Sequence, residues 1–311
     1  MKNLKIEPIV ATKLKEANIT DPLELLFWSP EDLANACELL PEEASEIISQ
    51  VQAASGINSL DKIVNQPVGK IMRPIPTFAP TINLVIGGGI FPKRIYEVYG
   101  EFRSGKTQLC HALAVSFQNP ALKRAWKEIL YVDTEETFRP ERIVEIAQAA
   151  QLPLTPAEVL EHVTVVKLAN FSSQRLFFRK LFETVKTRKI GLLLVDSFTN
   201  HFRKEIAQNF EQYSLYRSTL LEELATLVQI RDNFATCIVL TNQVRAEFDP
   251  AKEVNVNVKP VADYILAHFA SEIIFLRVAE DERHYFRVMR SQFGPEVEIP
   301  FILGPAGLED P

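Results

Sequence analysis

The chain has 311 residues, room for one large domain or a large one with a small appendage, and its 47% hydrophobic and 24% charged residues with 11 Gly and 19 Pro exclude disordered, collagen-like and fibrous classes. The net charge of -6 resides in residues 1–55, which hold four Lys against ten Asp and Glu, so the rest is neutral; this argues against broad capture of nucleic acid by the N-terminal part. No apolar run approaches the ~18 residues of a bilayer span, and MKNLKIEPIVATKLKEA holds no uninterrupted apolar stretch for a signal segment, so the expectation is a cytoplasmic protein, or a nuclear one in a eukaryote, without membrane contact.

In chain order, residues 1–55 read as a small all-helical domain of four short helices, ATKLKEANI, DPLELLFWS, SPEDLANACELL and PEEASEIISQVQAA. Pro22, Pro30 and Pro41 suit first helical positions, where a missing N–H costs nothing, and Asp21 and Ser29 suit the caps. Residues 56–80, with Gly56, Pro67, Gly69, Pro74, Pro76 and Pro80, read as a linker and a lead-in segment packed on the next domain. From residue 81 to 311, short apolar runs (IYEVYG, EILYVDTE, VTVVKLA, IGLLLVD, TCIVLTNQ, SEIIFLRV) alternate with helical stretches (KTQLCHALAVSFQ, PERIVEIAQAA, SQRLFFRKLFETVKT, YRSTLLEELATLVQIRDN). That alternation predicts βαβ units and a mainly parallel sheet, an α/β core, with the C-terminal runs extending it as antiparallel hairpins. Cys37, Cys110 and Cys237 are widely spaced among apolar neighbours, as buried thiols are.

The chemistry starts at Gly100-Glu101-Phe102-Arg103-Ser104-Gly105-Lys106-Thr107, a full GxxxxGK[ST] between a predicted strand and a helix that continues with Gln108. Its glycines let backbone amides curl around phosphate oxygens, Lys106 reaches the β and γ phosphates, and Thr107 offers a hydroxyl to Mg²⁺, which makes ATP and Mg²⁺ the expected cofactors. The apolar strand 190–195 ends in Asp196, placed to hold that metal; a second metal-side group is thus expected beside Thr107. Tyr131–Phe138 brings Glu135 and Glu136 to the same carboxyl edge, where ligands of open α/β sheets bind, and Gln243 in LTNQ puts a neutral amide where a γ-phosphate sensor would stand.

These blocks, GEFRSGKTQLCHALAV, YVDTEETFRPERI, LLLVDS followed by FR, and VLTNQV, in this order resemble the RecA-like recombinases of the archaeal RadA type and their eukaryotic relatives. The resemblance spans about residues 81–310 and extends weakly over 1–55, where that family carries a small domain of helix-hairpin-helix character. It implies an ATP-dependent DNA-binding ATPase of homologous recombination and repair, with ATP held between protomers. By resemblance, Lys106 and Thr107 take phosphate and Mg²⁺, Asp196 is the Walker B acid, Glu135 is catalytic, Gln243 senses the γ-phosphate, and His268 lies near it.

Departures from the pattern qualify what is implied. Lys5–Val10 lacks the family's Gly-x-Gly hairpin, Phe202–Asn209 lacks the Gly-Arg of the first DNA loop, Lys259-Pro260 is followed by Val-Ala-Asp rather than Gly-Gly, and Ile57–Val64 has no Phe-x-x-Ala polymerisation motif. Arg203, Lys204, Arg245, Lys252 and Lys259 are candidates for DNA phosphate, single-stranded DNA being the expected form, with an ordinary solvated face as the competing reading. Arg290, after the last hairpin, stands in place of the acid that begins the segment with which the resembling family caps the ATP of an adjacent protomer; it reads as a contact to a neighbouring subunit's nucleotide, with an exposed arginine on a hairpin end as the competing reading. Leu176, Phe177, Phe178, Leu181 and Phe182 read as core, Trp28 and Trp126 as packing anchors or partner contacts, and His201 and His284 as surface residues. Two functions stay open: a filament-forming strand-exchange recombinase, and an ATP-binding paralog that assists one, as homo-oligomer or hetero-assembly; the missing loop glycines and linker motif favour the paralog.

Overall fold

The computed structural model describes residues 8–17, 19, 25, 30–55, 73–208, 213–247, 257–279 and 281–311. The chain divides into two compact units, Met1–Ile71 and Met72–Pro311. In the first, α1 (Pro8–Glu16), α2 (Pro30–Cys37) and α3 (Pro41–Ser55) enclose Leu14, Leu33, Ala44, Ile47, Ile48 and Val51. Pro30 and Pro41 open their helices as the sequence predicts, and the Glu43 carboxylate accepts from the Leu40 N–H at 2.9 Å, which caps α3. The helix expected over DPLELLFWS, apart from Leu25, lies outside the described residues, as do its cap Asp21, Trp28, the cap Ser29 expected for α2, and the linker stretch 57–64.

The second unit begins with a segment that Ile75 pins by pairing with Ile90, followed by α4 (Pro80–Val85). Its strands are β1 (Arg94–Gly100), β2 (Glu128–Asp133), β3 (Val163–Lys167), β4 (Ile190–Asp196), β5 (Cys237–Glu247), β6 (Asn257–Pro260), β7 (Glu272–Val278), β8 (His284–Arg290), β9 (Val297–Gly304) and β10 (Gly307–Glu309). They form one sheet in the order β10-β9-β8-β7-β1-β5-β4-β2-β3, with β6 hairpinned on β5. The strands from β7 to β3 along this path run parallel, and β8, β9 and β10 are antiparallel, as the C-terminal runs foretold. β1 connects to β2 past two intervening strands, which opens a crevice at the carboxyl ends of β1, β5, β4 and β2.

Helices cover both faces. α5 (Lys106–Phe117), α6 (Pro140–Ala149) and α7 (Pro156–Glu161) pack with β9 and β10 on one side; α8 (Phe171–Arg188), α9 (Asn200–Gln208), α10 (Tyr213–Asn233) and α11 (Asp263–Phe269) pack on the other. β4 is buried along its whole length, which is why its sequence is apolar throughout rather than alternating. Side chains such as Tyr131, Phe178 and Phe198 are fully buried, each contributing about 1.5–3 kcal/mol through the area they remove from water.

The structure departs from the sequence in three places. Leu176 is 58% exposed, because Phe178, Leu181 and Val185 define the buried face of α8 and Leu176 lies off it. His201 is buried, not at the surface; it forms a 2.8 Å hydrogen bond with the Leu168 carbonyl, and burial lowers its pKa. Segment 291–296 does not follow the last hairpin but connects β8 to β9 within the antiparallel extension. Elements α4, α7, α9 and α11 were not read from the sequence. All three cysteines are buried and free, as expected.

Between α8 and α10, buried Gln174 donates to the Glu223 carboxylate at 2.8 Å and to the Phe198 carbonyl at 3.1 Å, and burial pushes the Glu223 pKa up to about 8. The folded state therefore holds a proton that the unfolded chain releases between the ordinary carboxylate value and about 8, so this group's contribution is fully present in acid and lost as pH rises. Glu223→Gln should raise stability at pH 8, by on the order of a few kcal/mol, and change it little near pH 5. Thermal melts at the two pH values check this; equal shifts at both would contradict it.

Candidate nucleotide site

The loop between β1 and α5 is shaped by backbone conformations that few residues adopt. Gly105 sits at φ 102 and Arg103 at φ 66, and a Cβ on Gly100 would come within 2.2 Å of the Leu276 carbonyl of β7. The loop thus turns tightly into the N-terminus of α5, the kind of helix start that suits an anion. Lys106 folds back over this loop and donates to the Gly100 and Glu101 carbonyls at 2.8 and 2.6 Å. Burial lowers its pKa, opposed by the charges of Asp196 and Glu135. Ser104 and Gly105 are buried, whereas Phe102 is 88% exposed and points away from the loop's interior.

Asp196, at the end of β4, is the meeting point. Its Oδ2 accepts from Thr107 at 2.8 Å and from Tyr131 at 2.9 Å, and its Oδ1 accepts from Thr241 at 2.5 Å. Sheet register supplies the alignment: Asp133 pairs with Asp196, Val195 with Leu240, and Gly100 with Gln243. Beside it, Gln243 Nε2 donates to Glu135 Oε1 at 2.5 Å. Burial, and then the charge of Asp196, raise the Glu135 pKa, while the Gln243 hydrogen bond, Lys106 and Arg203 oppose the rise. Residues 101 and 106–108 are half-buried, and Glu136 is exposed with a left-handed backbone.

Asp133 holds in place the turn that carries Glu135, a role not legible in the sequence. Its carboxylate accepts from the backbone N–H groups of Glu135, Thr137 and Phe138 at 3.1, 3.2 and 3.0 Å, as an Asx-type turn does. Tyr131 and Thr241 were not legible as site residues either; the only signal was their inward position next to strand-end polar residues. His111 is buried against Tyr131 and Phe138, its Nε2 accepting from the Arg139 N–H at 3.3 Å, and burial lowers its pKa. Gln108 is committed to Arg142, which donates to it at 2.9 Å and to the Gly304 carbonyl at 2.8 Å, so its side chain ties α5 to α6 and β9.

The remaining candidates do not all converge on this centre: Arg203 is near enough to bear on Glu135, whereas His268 and Arg290 lie toward the opposite, amino-terminal end of the sheet, where Arg290 pairs with Ile273 at the start of β7. Arg203 and Lys204 are exposed on α9, directly beyond β4. Arg245 and Lys259 stand opposite each other in the β5–β6 register, and Lys252 lies outside the described residues. His268 is exposed in the last turn of α11. The segment leading into that helix is leashed to β5 by Asn242 Nδ2 on the Val261 carbonyl and by the Val261 N–H on the Gln243 carbonyl. Arg290 ends β8 and donates to its own chain's Ala270 carbonyl.

A parallel sheet with a glycine-cornered phosphate loop on its first strand, a threonine beside a strand-end aspartate, and a glutamate–glutamine pair on the same edge together define a RecA-like P-loop ATPase core. A family model described as Rad51 matches residues 70–311. Over 307 residues, 98% of this chain and 95% of the relative, the chain is 31% identical to the DNA repair and recombination protein RadA of Aeropyrum pernix. The chain belongs to the Rad51 family of ATP-dependent recombination and repair proteins, whose members are DNA-dependent ATPases. Among the described residues no helix is long and apolar enough to cross a membrane.

Because three backbone donors rest on Asp133, Asp133→Ala should cost about 1–3 kcal/mol of stability and release the turn that carries Glu135. The expected outcome is a folded protein whose ATP turnover falls at least tenfold while nucleotide affinity changes by less than about threefold. Calorimetric melts with parallel turnover and binding assays check it; an equal loss of affinity and turnover would assign Asp133 to the binding loop instead.

Proposed function

We propose that the chain is an ATP- and Mg²⁺-dependent ATPase acting on DNA as a divergent RadA-like paralog that assists a recombinase. The observation that supports the ATP reading best is the adjacency of two polar couples at one sheet edge, Thr107–Asp196 and Gln243–Glu135, beside Lys106. The donor set fits the cofactor: a hydroxyl and a carboxylate already 2.8 Å apart suit a hard divalent cation, and an ammonium satisfied by loop carbonyls can exchange these for phosphate oxygens.

In this reading the amides of residues 101–107 and the Lys106 ammonium bind the phosphates, and Thr107 and Asp196 hold Mg²⁺, which when bound neutralises charge on the phosphate oxygens. Glu135 orients the attacking water and receives its proton; burial and the neighbouring Asp196 make it a stronger base than an exposed carboxylate. Gln243 fixes Glu135 and senses the γ-phosphate, with its strand continuing into the hairpin that carries Arg245 and Lys259. Arg203, Lys204, Arg245, Lys252 and Lys259 contact the phosphates of single-stranded DNA, and His268 stands near the γ-phosphate of an adjacent subunit. Arg290 reaches the nucleotide of an adjacent subunit, a second copy or a related recombinase, by exchanging the Ala270 carbonyl for phosphate oxygen. The cytoplasm, or the nucleus of a eukaryote, is the compartment that fits this work.

The paralog reading draws on the sequence of the loops: Phe202–Asn209 lacks a Gly-Arg pair, Lys259-Pro260 lacks the following glycines, and Ile57–Val64 lacks Phe-x-x-Ala. Electron microscopy of the pure protein with ATP and single-stranded DNA decides between the readings. Short assemblies or single particles are expected; long helical filaments would make it a recombinase in its own right.

Two variants test the nucleotide roles. Lys106→Ala should abolish ATP binding, and Glu135→Gln should bind ATP as the parent does while losing at least a hundredfold in turnover. Loss of turnover in Glu136→Gln with Glu135→Gln unaffected would overturn the assignment.

A further inference from the structure

The edge of the sheet opposite the nucleotide site carries charge that the ATPase does not use. From the end of α5 to the start of β2, residues 117–127 contain Lys123, Arg124 and Lys127 and no acid. Glu128 pairs in register with Ile190, so Lys127 and Lys189 precede paired positions on neighbouring strands, which lie ~4.8 Å apart. Lys186 and Arg188 adjoin them, though the negative C-terminal end of α8 is itself a sufficient reason for these two.

One feature of this edge calls for an anion. The Arg124 guanidinium is half-buried, lies 4.7 Å from the Phe117 ring centroid and donates to the Arg73 carbonyl at 3.1 Å, yet its Nε has no hydrogen-bond partner and no described carboxylate pairs with it. Burial pulls its pKa below the usual value, as expected of a cation short of counter-charge. Lys123, in turn, ends a 3₁₀ turn with its N–H on the Pro120 carbonyl, and its side chain is exposed beside Arg124. Both residues line the mouth of a cavity of about 310 Å³ whose apolar wall includes Phe117, Pro120 and Leu154.

The acids nearby are largely committed. Glu158 is engaged by Thr155 in the capping box of α7, and Glu128 pairs with His162 at 2.9 Å, leaving Glu161 against three cations around the cavity.

We propose that this amino-terminal edge, centred on Lys123, Arg124, Lys127 and Lys189, is a second DNA-binding surface that holds backbone phosphates, separate from any strand bound at the nucleotide-bearing edge. A single phosphate is best held by donors converging on one point, whereas cations set side by side along the starts of two strands match a repeating anion. Such contacts position DNA without reading its sequence and weaken with salt in proportion to their number. The proposal does not depend on the ATPase assignments, which are read by turnover rather than by DNA affinity.

The test uses the full chain with Lys123→Ala, Lys127→Ala and Lys189→Ala combined, all outside the nucleotide machinery. Anisotropy titrations of a labelled single-stranded oligonucleotide and of its duplex across a salt series read the result. Affinity for at least one form should fall tenfold or more, and the slope of log K against log salt should drop by about 2 to 3, at ~0.9 per duplex contact or ~0.7 per single-strand contact. The form that loses affinity identifies the DNA, ATP turnover without DNA should be unchanged, and a triple Lys→Arg variant should retain binding. Unchanged affinity and slope for both forms would overturn the proposal. So would a loss of self-association in sedimentation with DNA binding intact, which would make this edge a contact for an acidic protein surface.

Discussion

The carboxylate of Asp196 gathers the hydroxyls of Thr107, Tyr131 and Thr241, which come from α5, β2 and β5. The residue is only 2% exposed, and a buried carboxylate stripped of donors would cost several kcal/mol, so these hydrogen bonds constrain three elements around the end of β4. That constraint ties the start of α5, which carries Thr107, to the strand edge formed by β4, β2 and β5. The neighbouring couple of Glu135 and Gln243 is placed by the same register and by the Asp133 turn.

Much of this was legible in the sequence because it depends on local rules. A buried parallel strand has to be apolar from end to end, so 190–195 declared itself and made Asp196 a strand-end residue. The glycine spacing of residues 100–107 is a backbone requirement, and the structure shows the requirement as a close approach at Gly100 and a positive φ at Gly105. What was not legible is set by contacts between distant segments. Nothing near Tyr131 or Thr241 announces that their hydroxyls meet on Asp196, 65 and 45 residues away, and Asp133 looked like the last residue of a strand rather than the anchor of a turn.

Helices failed to show themselves for a related reason. α11 starts from Ala262 in a left-handed conformation with no side-chain cap and so lacks the usual start signal, while α4, though opened by Pro80, has only six residues and no side-chain cap at Ala79. His201 was misplaced because one imidazole in a polar stretch carries no sign of the Leu168 carbonyl that receives it. Leu176 was misplaced because a helix with five large apolar residues close together cannot bury them all on one face. Charge gave a similar lesson: a neutral net total over residues 56–311 conceals the cluster of Lys123, Arg124 and Lys127 between α5 and β2, a stretch without an acid.

The central claim is that Asp196 is held by hydroxyls so that its charge, with Thr107, serves a divalent cation on bound nucleotide. Nucleotide affinity of the parent and of Asp196→Asn, measured with and without Mg²⁺, tests this most directly. The parent should bind ATP at least tenfold more tightly with Mg²⁺, and the folded variant should bind with an affinity that Mg²⁺ leaves unchanged. A variant with the parent's full response to Mg²⁺ would contradict the account.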